Sequence, residues 1–220
     1  MSPTADILRK SRPSEKMSIV VLFGKSSQGK SSTLQHLSVL LLSGGNSPDS
    51  TIQKAFENKF WNGRTYNDFM LILKYRREAD GKEARIYLST KGDTWEIVEN
   101  NFEFFYRQSK RQGKTIHVFN GTEFIEWKDL DDEEKKQWLQ DSPTICITPA
   151  NFRRGSIQAL RYYLDATYDD WKCEHWIRRE RINTLKDPVD GYVNHVIYKT
   201  HEKIANNMMG LIHSCMDYDY

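Results

Sequence analysis

The apolar and polar positions divide this chain into alternating short runs. SIVVLF (18–23) is an unbroken apolar, β-branched run, which predicts a strand buried on both faces. After GKSSQGKSS (24–32), the stretch SSTLQHLSVLLL (31–42) sets Leu34, Leu37 and Leu41 on one helical stripe, with Leu40 beside them. SGGNSP (43–48) then stops the helix. Residues 51–66 are mixed and contain Asn-Gly, predicting a short helix and a loop. DFMLILKYRR (68–77) and ARIYLST (84–90) flank EADGKE (78–83), whose Asp80-Gly81 pair predicts a two-residue hairpin turn between antiparallel strands.

In TWEIVENNFEFFYRQ (94–108), Trp95, Val98, Phe102 and Phe105 share one helical face. Asp93 and Glu96 have the spacing of a capping box for that helix. Residues 114–127 predict a second hairpin around Asn120-Gly121, and 129–140 an acidic, then basic, solvated helix. SPTICITPA (142–150) is another buried strand, followed by a loop with Arg153, Arg154 and Gly155 and a long helix from about Ser156 to Ile182. From Asp187 to Ser214, Val193, Val196, Ile197, Ile204, Met208, Leu211 and Ile212 fall at mostly helical spacing, although YVNHVIYK (192–199) also fits a short edge strand. The expectation is an α/β fold. Residues 1–16 form a flexible lead, 17–185 the main domain with an inserted hairpin and helix at 114–140, and 186–220 a helical tail. That tail packs on the domain or on a second protomer.

Composition narrows the function classes. The 220 residues are 38% hydrophobic and 28% charged, a soluble globular balance. A net charge of only +2 supplies no dominant field for nucleic acid, although Arg76, Arg77, Arg107, Lys110 and Arg111 among abundant aromatics leave a stacking surface open. No apolar run approaches the roughly 18 residues of a membrane span, so no membrane partner is expected. The lead has no secretory h-region. Cys146, Cys173 and Cys215 form no disulfide framework, and neither they nor the six histidines show metal-ligand spacing. A cytoplasmic home is the expectation.

The chemistry concentrates at the glycine- and serine-rich stretch. Gly24, Gly29, Lys30 and Ser31 satisfy G-x-x-x-x-G-K-[ST], with a strand before and a helix after. Glycines let successive backbone N–H groups turn inward at a helix N-terminus and form an anion nest. By these residues the chain resembles the P-loop NTPase superfamily. The resemblance implies a three-layer fold with a mostly parallel central sheet. It implies a nucleoside triphosphate, ATP or GTP, held with Mg²⁺ by Gly24, Lys25, Ser26, Ser27, Gln28, Gly29, Lys30, Ser31 and Ser32. Lys30 would reach the β- and γ-phosphates, and Ser31 would ligate Mg²⁺. Lys25 resembles the extra lysine of the deviant Walker A class, whose members dimerise; a solvated loop lysine is the alternative.

The order of P-loop, helix, variable loop and hairpin also resembles small GTPases. In those, the turn after the hairpin reads Asp-x-x-Gly; here it is Ser89-Thr90-Lys91-Gly92, with serine in place of aspartate. The Asn-Lys-x-Asp base-reading motif is missing, since the later strand ends ITPANFRR (147–154), so the base stays open. Asp93 follows the turn and is a candidate water-positioning or Mg²⁺-linked carboxylate as well as a helix cap. Arg153 and Arg154, with Arg178, Arg179 and Arg181 further on, are candidates to neutralise charge during phosphoryl transfer. The ICITPANFRR…LRYYL run loosely resembles a piece of nucleoside monophosphate kinases. The expected function is a Mg²⁺-dependent ATP or GTP hydrolase whose nucleotide state a protein partner or second copy senses. A phosphotransferase acting on a nucleotide or other small acceptor, and a nucleotide-binding module with little turnover, are the alternatives.

Overall fold

The computed structural model describes residues 3–10, 16–26, 28–45, 47–63, 66–108, 115–139, 144–152, 155–179 and 190–218. In chain order, helix α1 is Pro3–Lys10, strand β1 Met17–Gly24, α2 Lys30–Leu42, α3 Ser50–Phe60, β2 Met70–Arg76 and β3 Glu83–Ser89. Helix α4 is Trp95–Arg107, β4 Ile116–Phe119, β5 Phe124–Glu126, α5 Asp132–Trp138 and β6 Thr144–Asn151. Helix α6 is Ser156–Ala166, β7 Trp171–Arg178 and α7 Asp190–Met216.

The seven strands form one sheet in the order β5-β4-β2-β3-β6-β1-β7. Strands β3, β6, β1 and β7 are mutually parallel, and β2 and β4 pair in parallel with each other. The β2–β3 and β4–β5 pairs are antiparallel hairpins. The sheet is therefore mixed, which corrects the expectation of a mostly parallel one: each tight hairpin reverses the chain and sets β2 and β4 against the parallel block.

Period-2 alternation splits the buried strand residues between two cores. Val20 and Leu22 of β1, Leu71 and Leu73 of β2 and Ile145 and Ile147 of β6 face α2, α3 and α7. Ile19 and Val21, Met70 and Ile72, and Cys146 face α1, α4 and α6. Strand β1 lies between β6 and β7 and is almost wholly buried, the reason its sequence is a continuous apolar run. Leu34, Leu37 and Leu41 of α2 are buried as their stripe requires, and Ala205, Met208, Ile212 and Cys215 carry α7 onto the same core.

Four local expectations change. The lead is not wholly unstructured: Ala5 and Leu8 of α1 are 1% and 0% exposed against the α4–α6 layer. The first hairpin turn is longer than two residues, since the last ladder pair is Arg76–Glu83 and Arg77 N–H donates to the Lys82 carbonyl at 2.8 Å. Helix α4 is capped by Thr94, whose hydroxyl accepts from Ile97 N–H, and not by Asp93. The long helix from 156 ends at Ala166, and WKCEHWIR forms β7 beside β1. A strand with one neighbour tolerates lysine, glutamate and arginine, so β7 lacks the apolar signature of β1. Among the described residues, no helix is long and apolar enough to cross a membrane.

Candidate functional site

The site gathers at the carboxyl ends of β1, β3 and β6, where the loop from β1 enters α2. Gly29, the residue before α2, has φ +80°, in the left-handed region. Glycine adopts that conformation without the penalty an L side chain meets, and the space beside it is also taken. A Cβ on Gly29 would lie 2.7 Å from His201 Cε1 and 3.3 Å from Arg179 Nη2. At the other end of the loop, a Cβ on Gly24 would meet the Arg179 carbonyl oxygen at 2.7 Å. Both glycines of the motif are thus fixed by close approach of the chain's C-terminal third.

Lys30 turns back under the loop. Its Nζ donates to the Lys25 carbonyl at 2.8 Å and lies 3.4 Å from the Gly24 carbonyl. The residue is 6% exposed; burial lowers the pKa of its ammonium, and the Asp93 carboxylate opposes that shift. Gln28 closes the loop by accepting from Lys25 N–H through Oε1 at 2.5 Å, while Lys25 itself is exposed. Ser31 Oγ donates to the Thr90 carbonyl at 3.0 Å, joining α2 to the turn after β3. Ser26 Oγ accepts from Asn151 Nδ2 at 2.7 Å, joining the loop to the end of β6.

A cavity of about 220 Å³ opens here, lined by Gly29, Lys30, Ser31, Ser32, Thr90, Asp93 and Pro149. Its size suits a phosphate chain. With the cap assigned to Thr94, Asp93 is left half-buried at the cavity wall, in electrostatic reach of Lys30. Gly92 packs so tightly on the end of β6 that a Cβ would sit 1.7 Å from the Pro149 carbonyl oxygen. Ser156 Oγ accepts from Asn151 N–H at 3.1 Å and donates to the Gly92 carbonyl, which fixes the turn against β6.

Ser89, where the GTPase-like pattern has aspartate, is fully buried in a neutral network. Its hydroxyl donates to Asn101 Oδ1 at 2.9 Å, and Asn101 Nδ2 donates to the Lys91 carbonyl at 2.7 Å and to Thr148 Oγ1 at 2.9 Å. Position 89 therefore supplies no negative charge to the cavity. Strand β6 also stands between β1 and β3, so the turn after β3 reaches the loop across the end of β6.

Of the sequence-derived candidates, Gly24, Lys25, Ser26, Gln28, Gly29, Lys30, Ser31, Ser32 and Asp93 come together around this cavity and its loop. Ser27, Arg153 and Arg154 lie outside the described residues. Of the later arginines, Arg181 also lies outside the described residues and Arg179 is brought against the loop, while His201 and Asn151 are two residues that the sequence did not single out. Arg179 is 2% exposed, and its backbone N–H donates to the Phe23 carbonyl at 2.8 Å. Its Nη2 is 3.5 Å from His201 Nδ1, and burial lowers its pKa. His201, on α7, shares a 2.8 Å hydrogen bond with Thr33 Oγ1 of α2. Burial, with the positive charges of Arg179 and His36, holds His201 at about 4, so its ring is neutral at pH 7. Asn151 had a faint signal as a polar residue ending a buried strand. Arg179 stood among the arginines that the sequence offered for phosphoryl transfer, and His201 had no signal, since sequence spacing carries no trace of contacts across more than a hundred residues.

The residues fit a Mg²⁺–nucleotide pair. Among the described residues no three His, Cys, Asp or Glu side chains form a metal site on their own. Mg²⁺ held with a nucleotide needs only one or two protein oxygens, because phosphates and water complete its shell. Ser31 Oγ and the Asp93 carboxylate are such oxygens on one cavity wall. Compared with family models, curated proteins and solved structures, the chain matches none.

Proposed function

We propose that this chain is a P-loop nucleotide-binding protein that takes up Mg-ATP or Mg-GTP and hydrolyses it slowly. The observation that carries this reading is the buried Lys30 ammonium beneath a loop whose Gly29 is left-handed, at the mouth of a 220 Å³ cavity. Backbone N–H groups at the start of α2 and the Lys30 charge receive the β- and γ-phosphates. Ser31 Oγ and Asp93 stand as the Mg²⁺ ligands, and Asp93 also orients water. Bound Mg²⁺ neutralises charge developing on the transferred phosphoryl group. With Ser89 neutral, Asp93 is the only acidic side chain in the cavity wall among the described residues, which supports slow turnover.

Nucleotide state has a route to a partner. Ser31 ties the loop to the 89–93 turn, and His201 ties it to α7. A phosphate that pulls Lys30 and Ser31 off their resting carbonyls would loosen the tie to the 89–93 turn, two residues before the Thr33 bond to His201, and a protein partner or second copy of the chain would read the change. A phosphotransferase is the second reading, favoured by a separate, larger cleft that opens onto Ser31 and Ser32. Product analysis of the purified chain with Mg-ATP and Mg-GTP tests the proposal. Free phosphate released without an added acceptor, and lost in Asp93→Asn, supports hydrolysis. Phosphate appearing only on an added nucleoside or nucleoside monophosphate makes it a transferase. Tight binding with no turnover in either assay reduces it to a nucleotide-gated module.

A further inference from the structure

A cleft of about 540 Å³ runs from Ser31 and Ser32 along α2, between α3, Trp61, Tyr66 and Asp68 on one side and His201 on the other. It shares the two serines with the phosphate-sized cavity, and nothing in the phosphate chemistry uses the rest of it. One wall is aromatic. Phe56 is held at the back by Phe69 and Phe124, with ring centroids 5.1 and 5.5 Å away. Trp61 and Tyr66 bridge through their backbones as an isolated antiparallel pair, and their rings stand 4.9 Å apart. Trp61 is 45% exposed, and burial, with the nearby Glu57 carboxylate, raises the pKa of the Tyr66 hydroxyl. The remaining lining mixes apolar Val39 and Pro48 with polar groups: Gln35, only 7% exposed, with His36, Gln53 and Asp68.

An aromatic wall facing amides and a carboxylate fits a flat ring with hydrogen-bonding edges. Asp68 is already met by the Thr90 hydroxyl at 3.3 Å and by Lys91 at 3.8 Å, but an aliphatic chain would offer nothing to the Gln35 amide, and a sugar phosphate would leave the indole unmatched. Side-chain amides read donor–acceptor edges of bases in pairs, and aromatic side chains stack on base faces. The geometry points to a nucleoside site: the cleft binds the heteroaromatic ring of a nucleoside, with its sugar directed toward Ser31 and Ser32. Its orientation rests on the phosphate-cradle reading, and its ring chemistry rests on the cleft alone. Two sources share that chemistry: the base of the triphosphate held in the loop, or a second, acceptor nucleoside.

The test is calorimetric titration of the full chain with inorganic tripolyphosphate, ATP, GTP, adenosine and guanosine, comparing wild type with Trp61→Leu and Tyr66→Leu. Circular dichroism checks that both variants fold. Loss of one stacked ring weakens nucleotide or nucleoside binding roughly tenfold or more and leaves tripolyphosphate affinity within about twofold. If adenosine or guanosine displaces the matching triphosphate, the ring is the nucleotide's own base. If the nucleoside binds on top of saturating triphosphate, and Trp61→Leu removes only that second event, the ring belongs to an acceptor. Nucleoside binding that depends on Trp61 without any tripolyphosphate binding keeps the cleft and sinks the cradle. Tripolyphosphate binding with no nucleoside contribution, or affinities that both variants leave unchanged, overturns the cleft.

Discussion

Replacing Gly29 by alanine tests how the C-terminal third of the chain is wired to the loop. At φ +80° an L side chain costs about 1–2 kcal/mol of backbone strain. The new Cβ would also lie 2.7 Å from His201 Cε1, so the imidazole must move and give up its 2.8 Å hydrogen bond to Thr33, worth about 1 kcal/mol. Gly29→Ala is therefore expected to lose about 2–3 kcal/mol. In a His201→Ala background the 2.7 Å conflict is gone, the Arg179 Nη2 at 3.3 Å is the end of a flexible side chain, and the strain of about 1–2 kcal/mol dominates what remains. Urea denaturation of the four proteins of this double-mutant cycle should give a coupling of about 1 kcal/mol, with the double variant less destabilised than the sum of the singles. Losses that add within about 0.3–0.5 kcal/mol would refute the packing of α7 on the loop.

Three more expectations follow from the same contacts. Gly92→Ala sets a Cβ 1.7 Å from the Pro149 carbonyl oxygen, a backbone atom that cannot step aside, and should cost more than about 3 kcal/mol in thermal or urea unfolding. Asp93→Asn keeps the Thr94 cap, so stability should stay within about 0.5 kcal/mol. Its Mg²⁺-dependent phosphate release should fall at least about tenfold, and wild-type release would remove Asp93 from the chemistry. His117 and His201 are both held near 4, below the ordinary histidine value of 6.5. His117 is lowered by burial and by Lys59 against the opposing Glu126, and His201 by burial, Arg179 and His36. A folded state that resists protonation is most stable above about pH 6.5 and loses stability as pH falls toward 4. Urea midpoints should drop between pH 7 and 5, less steeply in His201→Ala; an unchanged midpoint over that range contradicts the burial of these rings.

The sequence made the strand–loop–helix at 18–42 legible because it combines a continuous apolar run, glycines and a leucine stripe within 25 positions. Both hairpins were legible from Asp-Gly and Asn-Gly. The cap of α4 slipped by one residue because Asp93 and Thr94 are both good N-caps, and only the backbone decides which one turns the helix. Strand β7 was hidden because the helical spacing of α6 runs on into WKCEHWIR without a glycine or proline to stop it. The position of β6 between β1 and β3 is set by how helices cover the two sheet faces, a property of the packed whole. Arg179 and His201 reach Gly29 only after that packing.

The measurement closest to the central claim is titration of the wild-type chain and Lys30→Ala with ATP and GTP, each with and without Mg²⁺. The account predicts that wild type binds at least one of the two, more tightly with Mg²⁺, and that Lys30→Ala stays folded and loses that binding by at least about a hundredfold. A folded Lys30→Ala with unchanged affinity, or a wild type that binds neither nucleotide, would mean that the loop over Lys30 is a turn and not a phosphate cradle.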